Sequence, residues 1–258
     1  MFSTIQRLLG KGARCSTFID IGCADGHFTI ALMERGILCG AVPMNIDANP
    51  LYEESLKAIK EVVGGHYFIG AITDFEGEIE ISTGAHHYWA SALPDGDKYW
   101  QGQHGVQGAK FTVPATTLDA LNRQLNLQPP FILKLDVQGL EERVLRGATE
   151  VLGMTDIVIC EAGIHEFHDI DVALVQRGFV FYDALAFLRH HDGTLLQFYP
   201  VYISNTLREM VTPTAGWEEH NQVATIKHQE RRREKILKDI EGSLQRFRST
   251  MLRPPEHS

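Results

Sequence analysis

Short apolar runs alternate with segments of helical period through most of the chain. That alternation is the pattern of a mostly parallel sheet flanked by helices, because parallel strands need crossover connections. Thr17–Ile21 is expected as the first strand, and Phe28–Arg35 as a helix closed by Gly36. Leu38–Ile46 and Tyr52–Val63 follow as the second strand and second helix. Tyr67–Ile72 reads as a third strand, with Glu78–Ser82 adding to an edge. Leu118–Leu125 predicts a helix, and Phe131–Leu135 a fourth strand that is apolar apart from Lys134. Glu141–Leu152 predicts a helix, Asp156–Cys160 a fifth strand, and Asp171–Arg177 a helix closed by Gly178.

The period then changes. Phe179–His190 and Thr194–Ser204 are strand-like runs joined by Asp192-Gly193, a strong hairpin signal. Two segments stand outside this count. Thr83–Lys110 is rich in Gly, His, Tyr and Trp without a clear period, and so long an irregular loop is usually functional or mobile. The stretch from Trp217 onward reads as helix. In it Leu237, Ile240, Leu244, Phe247 and Met251 fall at alternating three- and four-residue steps, the seam of a two-stranded coiled coil. Val223 and Ile226 share the phase, but Glu230 and Arg233 interrupt it. This helix is expected either to dock on its own domain or to pair with a second copy or another partner. At the other end, Phe2, Ile5, Leu8 and Leu9 give a short amphipathic helix, expected to pack on the body, with a membrane surface as the alternative. The implied organisation is an N-terminal helix over 1–16, an α/β domain over 17–210 and a helical extension over 211–258.

Composition narrows the class. Hydrophobic residues make up 44% and charged residues 22% of 258, which supports a sizeable core. No run approaches the roughly 18 apolar residues of a membrane span, and Met1–Arg14 lacks a signal core. Cys15, Cys23, Cys39 and Cys160 have neither metal-ligand nor disulfide spacing, so reduced thiols and a cytoplasmic location are expected. No metal site is expected. The net charge of −9 argues against a nucleic-acid partner held by bulk electrostatics. The charge is uneven, with nine Lys/Arg against four Asp/Glu from Lys227 to Arg253, so the tail is basic and the body acidic.

The chemistry collects at strand ends. Asp20-Ile-Gly22-Cys23-Ala24-Asp-Gly26 runs from a strand into a helix. Its glycines allow close backbone approach to a ligand, and the helix start offers free N–H groups. A dinucleotide fingerprint would require Gly-x-Gly-x-x-Gly; here Ala24 stands third and His27 sixth, so that reading fails. An acid two residues before the first glycine suits a ligand with a cationic amine. Asp47, at the end of the second strand, is placed to accept from ribose hydroxyls; a helix-capping role before Pro50 is the alternative. The fourth strand ends in Lys134-Leu-Asp136-Val-Gln138-Gly139-Leu-Glu141. A lone buried ammonium is costly, so Lys134 is expected to pair with Asp136 or Glu141.

The stretch Lys134-Leu-Asp-Val-Gln-Gly-Leu-Glu-Glu-Arg-Val-Leu-Arg-Gly-Ala148 closely resembles the hallmark of the FkbM family of methyltransferases. Asp20–Gly26, Gly70–Gly77, Thr117-Leu-Asp119 and the Asp192-Gly193 hairpin match in the same order, so the resemblance covers about Phe18 to Ser204. Two positions depart from it: the family usually carries Asn at Ala24 and Glu at Gln138. The resemblance implies a Rossmann-like class I fold, with a mostly parallel seven-stranded sheet ending in an antiparallel hairpin. It implies S-adenosylmethionine as cofactor, held by Asp20, Gly22, Cys23, Ala24, Gly26, Asp47, Ala48, Ala71 and Asp136. It implies O-methylation of a hydroxyl on a sugar, glycan or secondary metabolite. Asp136 is the first candidate for the acceptor-side carboxylate, with Lys134 beside it and Glu161, at the end of the fifth strand, the second. His165 and His168 in the following loop are candidate bases. His86-His87-Tyr88-Trp89 suits stacking on a flat acceptor or simply packing within its loop. Two rivals remain: a protein or nucleic-acid methyltransferase, and a non-catalytic cofactor-binding protein acting through its tail.

Overall fold

A computed structural model of the chain describes residues 1–83, 90–91, 110–211 and 238. The chain divides into Met1–Val211 and Thr212–Ser258, and the fold below is that of the first unit. Its strands are β1 (Thr17–Ile21), β2 (Val42–Asp47), β3 (His66–Ile69), β4 (Ala71–Ile72), β5 (Gly77–Thr83), β6 (Ala90–Ser91), β7 (Lys110–Thr116), β8 (Phe131–Leu135), β9 (Thr155–Cys160), β10 (Ala162–Gly163), β11 (Phe179–Arg189) and β12 (Leu195–Ser204). Its helices are α1 (Phe2–Leu9), α2 (His27–Glu34), α3 (Glu53–Val63), α4 (Leu118–Leu125), α5 (Glu141–Arg146), α6 (Thr149–Leu152), α7 (Phe167–Val175) and α8 (Asn205–Val211).

The main sheet runs β10-β12-β9-β8-β1-β2-β3, with β11 beside β12. Strands β9, β8, β1, β2 and β3 are parallel, and β12 enters antiparallel against β9 and β11. The expected seven strands and terminal hairpin are therefore present, with the two-residue β10 added. The central strands are apolar on both faces because helices cover both. Ile19, Leu133 and Val158 pack into one layer; Phe18, Ile132 and Ile159 pack into the other with Ile5 and Leu8 of α1.

Two polar residues interrupt those apolar runs, and the register explains both. Asp20 stands opposite Lys134 on β8 and opposite Asn45 on β2. The ammonium and the carboxylate that each strand would bury alone are buried together.

A second sheet, in the order β4-β7-β5-β6, departs from expectation. The single strand expected over Tyr67–Ile72 splits at Gly70, whose carbon lies too close to Phe68 and Pro114 for any side chain: a Cβ there would sit 2.5 Å from Phe68 Cε1. Residues 71–72 then pair with β7, and Glu78–Ser82 joins this sheet and not the main edge. Strand β7 escaped the sequence reading because Pro114 breaks its strand signal, although Val113 and Ala115 are buried in alternation. The helix expected over Glu141–Leu152 is two helices. Its break is at Gly147, where a Cβ would lie 2.1 Å from the Thr73 carbonyl oxygen. The second strand begins at Val42, the second helix at Glu53 after a 3-10 turn over Pro50–Tyr52, and α7 at Phe167. The hairpin closes at Asp192-Gly193, where Asp192 accepts from the Thr194 N–H. The His86–Trp89 cluster and the heptad seam of the tail lie outside the described residues.

Candidate functional site

The C-terminal ends of β1, β2 and β8 are tied together by backbone. Gly22 and Cys23 N–H groups donate to the Ile46 carbonyl at 2.9 and 3.1 Å, and the Asp136 N–H donates to Ile21 at 2.9 Å. Gly22 has φ +74°, and a Cβ there would fall 1.8 Å from the Asp136 carbonyl oxygen. The first loop can lie against the β8 loop only because residue 22 has no side chain.

These ends frame a cavity of about 130 Å³. Gly22 and Ala24 line it from the first loop, Asp47 and Ala48 from the end of β2, and Gly70, Ala71 and Ile72 from the β3–β4 junction. Asp136, Val137, Gln138 and Leu140 close it from the β8 side, and Ile81 of the second sheet supplies a further apolar wall. Of the residues expected at a cofactor, Gly22, Ala24, Asp47, Ala48, Ala71 and Asp136 are thus brought together. Cys23 packs instead with Tyr52 and Leu56. Gly26, at φ +78°, faces Ile59 and Leu56, so its lack of a side chain serves the packing of α2 on α3.

Asp20, expected to face a cationic amine, is fully buried beneath the cavity. Its Oδ1 accepts from Lys134 Nζ at 3.1 Å and its Oδ2 from Thr29 Oγ1 at 3.3 Å. Lys134 Nζ also donates to Asp136 Oδ2 at 3.2 Å. Burial opposes the Lys134 charge, but the two aspartates outweigh it and hold its pKa above the usual lysine value. Burial pushes the Asp20 carboxyl up, and Lys134 opposes that rise. Glu141 is not a partner of Lys134. It accepts from the Val137 and Gly139 N–H groups at 2.9 and 3.0 Å, bracing the turn in which Gln138 adopts φ +56°. Burial raises Glu141 to about 7, against its own and the Val137 backbone N–H groups.

Asp47 is 8% exposed. Its Oδ2 accepts from Ala24 N and its Oδ1 from Asn49 N, both at 2.8 Å. A carboxylate has about four lone-pair sites, so half of its capacity is left for hydroxyl donors. Burial lifts its pKa to about 6, with the two N–H groups holding it down.

On the far side of Asp136 lies a second group. Gln138 Nε2 donates to Asp136 Oδ1 at 3.0 Å and to Glu161 Oε2 at 2.7 Å. Gln197 Nε2 donates to Glu161 Oε1 at 2.5 Å. Tyr199 Oη lies 2.8 Å from Asp136 Oδ2 and 3.1 Å from Glu161 Oε1. Burial and the neighbouring Asp136 and Glu141 carboxyls push Glu161 up to about 9. Sequence reasoning missed Gln197 and Tyr199. The available signal was their spacing: two polar-tipped side chains at i and i+2 share one face of a strand. His165 and His168 are exposed, so the buried group around Glu161 is built from other side chains.

Residues 20–192 match the methyltransferase FkbM domain. The chain belongs to this family. No curated protein sequence matches it. Among solved structures, the chain is similar to the FkbM methyltransferase from Methylobacillus flagellatus KT at 11% identity and TM-score 0.42, over 73% of this chain and 43% of that one. It is similar to the precorrin-6y C5,15-methyltransferase from Geobacter metallireducens GS-15 at 9% identity and TM-score 0.39, over 79% and 88% of the two chains. It is also similar to the M1A22 tRNA methyltransferase of B. subtilis at 12% identity and TM-score 0.43, over 79% and 64%. The chain thus spans less than half of its FkbM neighbour. The fold is the Rossmann-like class I methyltransferase fold, with the main sheet ending in the antiparallel β11–β12 hairpin. Both departures from the FkbM pattern, Ala24 and Gln138, have left-handed backbones, at φ +50° and +56°. Asn tolerates that conformation better than most residues, so Ala24 carries a local backbone cost that the family's usual residue reduces.

Proposed function

We propose that this S-adenosylmethionine-dependent methyltransferase methylates a hydroxyl of a sugar, glycan or secondary metabolite. One juxtaposition carries the reading: the cavity bounded by Asp47 and Gly22 meets the Asp136–Glu161 group at Asp136. The residues present suit the cofactor. Asp47 keeps lone pairs for the ribose hydroxyls, Ala48 and Ala71 are small, and Ile72, Ile81 and Leu140 are apolar walls for a flat ring.

When bound, S-adenosylmethionine supplies an electrophilic sulfonium methyl. The chain's own contribution is position and charge. Asp136 holds the acceptor hydroxyl and takes its proton as the new O–C bond forms. Lys134 fixes Asp136 from below, and holding the acceptor oxygen in line with the methyl is worth up to about 7–11 kcal/mol. Lys134 is already engaged by two aspartates, which favours a neutral acceptor over a phosphorylated one. The net charge of −9 points the same way.

Titration calorimetry with S-adenosylmethionine and S-adenosylhomocysteine, followed by a labelled-methyl screen on neutral and anionic hydroxyl compounds, tests the reading. Micromolar binding and label in a base-stable ether are expected, with Asp136→Asn lowering turnover at least a hundredfold. Absence of binding to the folded chain overturns the cofactor site. Label found only in nucleic acid or protein overturns the acceptor.

A further inference from the structure

We propose that Tyr199 is a positioning residue of the methyl-transfer site, joining Asp136 and Glu161 into a unit that holds one shared proton on Glu161 and leaves Asp136 as the anion facing the acceptor. This rests on the assignment of Asp136 to the acceptor side, but its geometry stands alone.

Hydrogen counting supports it. A phenol has one hydrogen to give, yet Tyr199 Oη lies within hydrogen-bond distance of Asp136 Oδ2 and of Glu161 Oε1. Both contacts are satisfied only if the phenol donates to one carboxyl and accepts from the other, so one carboxyl carries a proton. Asp136 Oδ2 also receives the Lys134 ammonium. Glu161 receives only the neutral amides of Gln138 and Gln197, so the positive charge at Oδ2 favours the anion on Asp136. Tyr199 therefore donates to Asp136, and the proton sits on Glu161 Oε1, which gives it to the phenol oxygen and accepts from Gln197 Nε2 on its remaining lone pair. Gln138 completes the count, because its amide has two hydrogens and two carboxyl oxygens to receive them. The glutamate usual at this position in the family would bring a third carboxyl and no such hydrogens.

The surroundings agree. Glu161 is faced by Asp136 and Gln138 from the turn after β8, by Glu141 from α5, by its neighbour Cys160 in β9, and by Gln197 and Tyr199 from β12. Among the described residues, these carboxyls outnumber the neighbouring cation, Lys134, which is bound between Asp20 and Asp136. Burial and those carboxyls raise Glu161 to about 9, so it is neutral at pH 7. Burial, and after it the Asp136 carboxylate, pushes the Tyr199 phenol up, keeping its one hydrogen in place. During methyl transfer the acceptor's O–H breaks and its O–C bond forms as the methyl–sulfur bond breaks, the electron pair of that bond staying on the departing thioether. The proton passes to Asp136 Oδ1, which carries one donor, Gln138, where Oδ2 carries two, Lys134 and Tyr199.

Carbon-13 carboxyl NMR of the full chain against pH tests this without cofactor or acceptor, with Glu161→Gln assigning the Glu161 signal. A signal that stays in the protonated position through pH 7 and titrates above 8 is expected, as is a displacement of that titration by at least one pH unit in Tyr199→Phe. Calorimetry on the same samples should show S-adenosylmethionine affinity within threefold of wild type in Tyr199→Phe. Ionisation of Glu161 in the ordinary carboxylate range, or an unchanged titration in Tyr199→Phe, overturns the proposal. If Tyr199→Phe does not fold, wild type and Glu161→Gln decide: a titration above 8 that survives Glu161→Gln belongs elsewhere, and the assignment falls. Loss of S-adenosylmethionine binding in wild type with the titration intact would instead remove the proposed function and leave the shared proton standing.

Discussion

Burial raises Asp47 to about 6 because the N–H groups of Asn49 and Ala24 only partly replace the water it loses. Its folded pKa lies above the ordinary carboxyl value. The stability this contributes is therefore complete in acid and lost as pH rises through about 6. Cofactor affinity runs the other way, since hydroxyl donors need the carboxylate. Calorimetry is expected to show S-adenosylmethionine binding level above pH 7 and falling about tenfold per pH unit below 6; Asp47→Asn should bind weakly with no such dependence. Lys134 presents the opposite case, a charge whose burial is matched by Asp20 and Asp136. Lys134→Ala strands Asp20, which is fully buried, and removal of one partner of a buried pair costs about 3–5 kcal/mol. The double variant Asp20→Asn, Lys134→Met removes both charges and should recover most of that loss in urea unfolding.

The loop between β1 and α2 contains two glycines with positive φ but different neighbours. At Gly22 an added Cβ meets the Asp136 carbonyl oxygen at 1.8 Å, and backbone cannot move aside without displacing β8. At Gly26 the nearest atom is Ile59 Cδ1, the far end of a flexible side chain. Gly22→Ala should therefore cost about 3 kcal/mol or more and abolish cofactor binding, whereas Gly26→Ala should cost about 1 kcal/mol, mostly backbone strain; chemical denaturation with binding measured on the same samples separates them. The contrast also shows what a linear reading can hold. Glycines, the β2 acid and the Lys134–Asp136 motif are local patterns, so they were readable together with the strands they end. The pairing of Lys134 with Asp20 depends on the β1–β8 register across 114 positions, whereas local spacing points only to Asp136, which Lys134 also contacts, and to Glu141, which it does not. Tyr199 and Gln197 reach the site because β12 turns back antiparallel beside β9, which no spacing within either strand encodes. The second sheet was hidden for a similar reason: Pro114 and Gly70 are strand breakers locally, and β4, β5 and β7 hold together only through pairing with one another.

The charge of the chain is divided. With +5 between Lys227 and Arg253, the remainder carries −14, so an acidic catalytic unit is joined to a basic tail. Leu207 and Val211 of α8 are buried within the first unit, which places the natural cut after Val211 rather than at Ser204, where removing α8 would open the core. Beyond it, the seam of Leu237, Ile240, Leu244, Phe247 and Met251 repeats at heptad spacing over about two turns of the pattern. An isolated helix of the length this spacing predicts is marginal in water, so such a helix would need another apolar surface to be stable. A second tail supplies one with matched spacing. The like charges of two such tails, at +5 each, oppose their pairing at low salt and are screened within about 8 Å at physiological ionic strength. Light scattering is therefore expected to find the full chain dimeric, more so at 0.5 M than at 0.05 M salt, and a chain ending at Val211 monomeric with unchanged S-adenosylmethionine affinity. A full chain that stays monomeric across that range assigns the seam to its own domain, and a shorter chain that remains dimeric moves the interface into the catalytic unit. Leu244→Asp discriminates further, because a charge at the centre of the seam should dissolve a tail-mediated dimer while leaving cofactor binding intact.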